Sequence, residues 1–212
     1  MIIDKSCSWS GTYASALSIL SKGNVTIENV VNHANVNGKE EAAPFIANVE
    51  PLESSFVSFV NCMNTGDIVS ATGRASGLYN IGGDNVGMAS VSVKNSVNKG
   101  KVSGVSARGI SNFLNEANCV VSVGEVVGIN VSYLTWDHSP NATISASYGV
   151  KESCETCNDS YVSIHRYGEK GTHYYMTDKA IRADEILNNE AHKEGYGLYW
   201  TRELSLTDHF LI

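Results

Sequence analysis

Two arginines, Arg74 and Arg108, are the residues of this 212-residue chain that invite a chemical reading first. Each lies eleven residues beyond an apolar-Asn pair, Met63-Asn64 and Val97-Asn98. If those pairs mark equivalent places in a stacked fold, the two guanidinium groups share one face and could line a groove for acidic sugars. A polysaccharide lyase or hydrolase would set a base or paired carboxylates beside such cations. Between Asp4 and Asp137 the only aspartates are Asp67 and Asp84, so the sequence points away from an enzyme.

Other reactive types read as structural. Cys154-Glu-Thr-Cys157, with His165 and His173 downstream, has the residue types of a zinc site. The His spacing is wider than the common finger, however, and the two histidines fall on opposing strands of a predicted hairpin. A redox role needs the motif at a helix start in a βαβ unit; a local disulfide or two free thiols is the reading. Cys62 and Cys119 fall near equivalent places in repeats that are not adjacent, about 10 Å apart at the usual strand spacing and too far to bridge. Asp137-His138 and Asp208-His209 are pairs rather than triads, and Gly82-Gly-Asp-Asn85 is a turn without the following helix of a phosphate loop. The tyrosines with Trp136 and Trp200 are expected to pair across strands rather than form a sugar platform. No cofactor and no metal is expected.

The elements that must carry these residues are β-type. Charged residues make up only 17% and hydrophobic ones 42%, with 19 glycines against 3 prolines, which favours strands and turns over helices. A formal net charge of −7 argues against a nucleic-acid partner. No apolar run approaches a membrane span, and the N-terminus lacks the basic start of a secretory signal. The five cysteines form no evident disulfide framework, and the sequons at Asn24, Asn130, Asn141 and Asn158 say little about compartment in so Asn- and Ser-rich a chain.

Self-similarity is the strongest signal. Four segments, 25–38, 57–70, 91–104 and 115–128, align without gaps on the pattern V-x-Φ-x-N-x-Φ-N-x-G-x-Φ-x-G, where Φ is apolar. Val25, Ile27 and Val31 alternate at period two, as do Val57, Phe59 and Met63, and Val91, Val93 and Val97. That alternation also turns Asn29, Asn61 and Asn95 inward, where stacked amides can satisfy one another as in cross-β ladders. Asn32, Asn64 and Asn98 form a second column, placed at a turn where Asn tolerates left-handed backbone. Gly66, Gly100 and Gly124 come two residues later, expected at positive φ. The intervals of 32, 34 and 24 residues predict one bare repeat and two carrying insertions, at Glu40–Ser55 and Ile81–Ala89. The fold expected is mainly β, a parallel β-helix or β-solenoid of about four coils over residues 1–150.

Ala75-Ser-Gly-Leu-Tyr-Asn-Ile81 followed by Val91-Ser-Val-Lys-Asn-Ser-Val-Asn-Lys-Gly-Lys-Val-Ser-Gly104, echoed by Ala107-Arg-Gly-Ile-Ser-Asn112, resembles the GLUG-type repeat of surface adhesins and extracellular proteases. The family has a cleaner G-[LI]-[VA]-G where Tyr79-Asn80 and Ser111-Asn112 stand here. The resemblance covers roughly residues 24–128 and implies an extracellular, non-catalytic segment of a large surface protein.

From about Lys151 the repeat grammar stops. Tyr161–Tyr167 and Thr172–Met176 read as a hairpin around Gly168-Glu-Lys-Gly171, a helix is predicted from Asp178 to about Glu194, and Leu198–Leu206 as a last strand. Residues 151–212 are therefore expected to form a small α+β module capping the open end of the repeats. The function expected is structural or adhesive, with loops presented to a carbohydrate or another protein. The alternatives are a carbohydrate-active β-helix enzyme using Arg74 and Arg108, and an intracellular scaffold using the C-terminal aromatic module.

Overall fold

The computed structural model describes residues 1–21, 23–50, 55–81, 90–132, 134–145, 147–150 and 175–176. The chain begins with β1 (Ile2–Ile3), β2 (Ser8–Ala14) and β3 (Ser18–Ser21). Next come β4 (Val25–Glu28), β5 (Val31–Asn32), β6 (Asn35–Ala42) and β7 (Ile46–Val49). The third passage holds β8 (Phe56–Val60), β9 (Met63–Asn64), β10 (Ile68–Ser70), β11 (Arg74–Ser76) and β12 (Tyr79–Ile81). Longer strands succeed them: β13 (Ser90–Asn98), β14 (Val102–Arg108), β15 (Ser111–Ser122), β16 (Val126–Ser132) and β17 (Thr135–Ser145). Two short ones, β18 (Tyr148–Val150) and β19 (Tyr175–Met176), complete the order. Among the described residues there is no helix, hence none long and apolar enough to cross a membrane.

The strands make two parallel sheets, one of thirteen strands and one of six among the described residues. The chain enters the six-stranded sheet once per repeat, through β2, β6, the β10–β11 pair, β14 and β16. The register joins the aligned segments position to position. Val25 pairs with Val57 and Val57 with Val91. Val31, Met63, Val97 and Val121 pair in succession, as do Val36, Ile68, Val102 and Val126. Parallel sheets bury both faces more often than antiparallel ones. The Val31–Val121 and Val36–Val126 columns are buried throughout. Phe45, Phe59 and Tyr79 thicken the core; the Phe59 and Tyr79 rings stack with centroids 4.6 Å apart, and the Tyr79 hydroxyl donates to the Phe113 carbonyl at 2.6 Å.

Both asparagine columns form amide ladders, but the left-handed corner expected of the second column belongs to the first. Asn29, Asn61 and Asn95 carry positive φ, 57°, 53° and 45°, and mark the corner between β4 and β5, β8 and β9, and within β13. The left-handed residue breaks the alternation, which is why Asn61, Cys62, Met63 and Asn64 are buried in an unbroken run. Asn61 Nδ2 donates to Asn29 Oδ1 at 3.1 Å, and Asn95 Nδ2 to Asn61 Oδ1; Asn29 itself is exposed rather than inward. Asn32, Asn64 and Asn98 lie instead in strands β5, β9 and β13, fully buried and without positive φ. Asn32 Nδ2 donates to Asn64 Oδ1, and Asn64 Nδ2 to Asn98 Oδ1, both at 2.8 Å. The second proton of each amide goes to a carbonyl two residues ahead, on Ala34, Gly66 and Gly100. Nor do Gly66, Gly100 and Gly124 have positive φ; among the described glycines only Gly23 does. They are needed because backbones touch there. A Cβ on Gly66, Gly100 or Gly124 would lie 1.9, 1.9 or 2.0 Å from the carbonyl oxygen of Ala34, Gly66 or Gly100.

The first expected insertion is too wide. Glu40–Ala42 close β6 and Ile46–Val49 form β7, because Ala42, Ile46 and Val49 reach the core. Most of the second, 82–89, lies outside the described residues, as do the hairpin turn, helix, last strand and Cys-x-x-Cys of the C-terminal module. Tyr175 and Met176 pair in parallel with Gly149 and Val150.

Candidate functional site

One row of polar side chains crosses the six-stranded sheet. Tyr13 on β2 pairs with Glu41 on β6, Glu41 with Arg74 on β11, Arg74 with Ser106 on β14, and Ser106 with Asn130 on β16. The next row, Ala14, Ala42, Ala75, Ala107 and Val131, is in register too and buried in the core. Successive residues of a strand face opposite ways, so the Tyr13–Asn130 row lies on the outer face.

Backbone bulges shape this row. From Gly11 to Tyr13 is two residues, from its partner Gly38 to Glu41 three, and from Ser70 to Arg74 four. The extra backbone is tied down: Ala71 N–H donates to the Gly38 carbonyl at 3.0 Å, Thr72 N–H to that of Lys39 at 2.8 Å, and Ser70 Oγ to that of Glu40 at 2.9 Å. Gly73 allows it, since a Cβ there would stand 2.0 Å from the Glu40 oxygen. Bulges re-aim side chains, and this one corrects the expectation of stacked arginines. β11 meets β14 two residues out of step with the sequence alignment, so Arg74 lies opposite Ser106 while Arg108 lies opposite Ser76.

Neither arginine stands as an uncompensated cation in a groove. Arg74 forms an ion pair with Glu41. Arg108 is only 5% exposed, and its Nη1 donates to the carbonyls of Ala107 and Asn130. Burial, helped by the nearby Arg74 charge, pushes its pKa down to about 10. Glu41 is 7% exposed; its Oε1 takes the Arg74 bond, while its buried Oε2 has no hydrogen-bond partner. Burial raises the Glu41 pKa despite Arg74, and the Glu40 carboxylate raises that of the Tyr13 phenol. Glu41 and Tyr13 escape a sequence reading that weighs aspartates and repeat positions, because only the bulge brings Glu41 opposite Arg74.

Linkage fixes the sign of the Glu41 effect on stability. A carboxyl whose folded pKa exceeds its unfolded one holds its proton more tightly when folded, so its contribution is full below the ordinary carboxylate range and is lost as pH rises through the raised value. Glu41→Gln should remove that loss. Its melting temperature relative to the parent chain is expected to rise as the pH is raised above the ordinary carboxylate range; a difference independent of pH would show that Glu41 titrates normally.

The remaining candidates are inert or lie elsewhere. Cys62 is buried, its thiol pushed up to about 12 by desolvation, and Cys7 is exposed and free. Cys62 N–H donates to Ser96 Oγ at 3.1 Å, and Ser96 in turn pairs with Val120; Cys119 therefore falls one position away from Cys62's equivalent. Among the described residues no group of three or more His, Cys, Asp or Glu could hold a metal ion. Asp137 and His138 lie on β17 opposite Phe113 and Leu114. His165, His173, Cys154, Cys157, Trp200 and Asp208-His209 lie outside the described residues. Comparison with protein-family models, with curated proteins and with solved structures finds no significant match to this chain.

Proposed function

We propose that the chain is a parallel β-solenoid segment of a longer surface or secreted protein, resembling GLUG-type adhesin repeats, with a structural and adhesive rather than catalytic role. The observation that carries this reading is the recurrence of one register through successive repeats, with amide ladders between equivalent asparagines. Such a stack grows by adding repeats and turns the outer sheet faces into a platform. The polar row argues for binding over catalysis: Glu41 is a single carboxylate already engaged with Arg74, whereas glycoside hydrolysis needs two facing carboxyl groups.

Brief protease treatment of intact cells that make the chain, followed by immunoblotting, tests this reading. The chain is expected to be cleaved while a cytosolic marker survives. Protection until lysis would place it inside the cell and favour the scaffold alternative.

A further inference from the structure

Resting on the adhesive reading, we infer that the outer row Tyr13, Glu41, Arg74, Ser106 and Asn130 is a binding site for an unbranched neutral oligosaccharide. The ligand class follows from charge and hydrogen-bonding capacity. An acidic sugar needs cations to spare, but Arg74 is matched by Glu41 and Arg108 is turned onto backbone carbonyls. Glu40 adds negative charge beside Tyr13. The row offers mixed donors and acceptors: a partly exposed guanidinium, a hydroxyl, an exposed amide and a phenol. That mixture suits vicinal sugar hydroxyls, each both donor and acceptor.

Glu41 supplies the second, independent indication. Its side chain is more than nine-tenths buried, and its Oε2 has no partner in the protein. Leaving a buried polar atom unpaired is costly. Oε2 is shut off from solvent in the free chain, so a sugar hydroxyl supplies the missing donor once the partly exposed Arg74 side chain shifts aside. Tyr13, 38% exposed, offers a ring for the apolar face of a pyranose. Five strands at about 4.8 Å spacing carry the row over about 19 Å, the reach of a short oligomer rather than a monosaccharide.

The test is a titration of the ¹⁵N-labelled full chain with cellotetraose, maltotetraose, mannotetraose and tetragalacturonate, read by amide chemical shifts and calorimetry. At least one neutral tetrasaccharide should shift the amides around Tyr13, Arg74, Ser106 and Asn130. Tyr13→Ala should weaken that binding about tenfold or more with the melting temperature unchanged, while Tyr13→Phe retains most of it. Three results overturn the inference: no shift with any neutral oligomer, preferential binding of the uronate, or shifts that ignore the row and the Tyr13→Ala substitution. Because localisation is read separately by protease treatment, a chain that binds no glycan yet is cleaved on intact cells sinks the site and leaves the adhesive reading standing.

Discussion

Asn64→Leu should lower the stability of the chain by about 3–5 kcal/mol, a large share of the about 5–15 kcal/mol ordinary for a folded domain. Leucine has the heavy-atom count and branching of asparagine, so the loss is mainly polar, with some overpacking where its methyl groups replace contacts of 2.8 Å. Asn64 accepts from Asn32 Nδ2 and donates to Asn98 Oδ1 and the Gly66 carbonyl. Asn32 and Asn98 are fully buried, so the leucine strands their amides in the core. The comparison with Asn61 separates the two columns. Asn61 has φ 53°, so Asn61→Gly keeps the corner backbone and loses mainly the amide bonds, whereas Asn61→Leu adds left-handed strain of about 1–2 kcal/mol. At Asn64, glycine should be no better than leucine. Thermal and urea melts of the four variants give the answer; an Asn64→Leu chain that melts like the parent would mean this amide faces solvent.

Gly100→Ala is the second large effect, expected to cost several kcal/mol or to prevent folding, as overpacking against backbone does. The added methyl would stand 1.9 Å from the Gly66 oxygen and 2.8 Å from Asn64 Nδ2. Neither can retreat: the Gly66 carbonyl is held by Asn64 Nδ2, and Asn64 is locked in its ladder. Gly23→Ala is the control. Gly23 has φ 76° and nothing within 4 Å of its missing Cβ, so only the conformational penalty remains, about 1–2 kcal/mol. If Gly100→Ala proves as mild as Gly23→Ala, the backbones do not approach as closely as the structure has them. Circular dichroism melts of the two variants make the comparison.

The parallel pairing of the repeats is legible in the sequence because the information is local. Val57, Phe59 and Met63 repeat the spacing of Val25, Ile27 and Val31, and like segments in register bury like residues together. The choice between the two asparagine columns is not legible, because asparagine tolerates left-handed backbone wherever it occurs. The deciding factor is which amide can reach both its counterpart and a carbonyl two residues ahead, a property of the neighbouring repeat's position. The reason for the glycines is hidden in the same way: close approach between Gly66 and Gly100 is a contact across 34 residues of chain. Glu41 stays out of view because its alignment with Arg74 depends on unequal residue counts in β2, β6 and the β10–β11 pair, which no single repeat reveals.

The amide ladder also has an end. Asn98 lies opposite Ser122, and the buried Ser122 hydroxyl has no partner of its own. A short hydroxyl cannot carry the chain of amides into the fourth repeat, so Asn32, Asn64 and Asn98 bind their three strands into one cooperative block, while at this column β15 and the strands beyond it are held by backbone pairing and apolar packing alone. The molecule is thereby polarised. Opening is expected to cost less on the β17 side of this column than on the β5 side, so repeats joined in one register acquire a direction, set by a single Asn-to-Ser change.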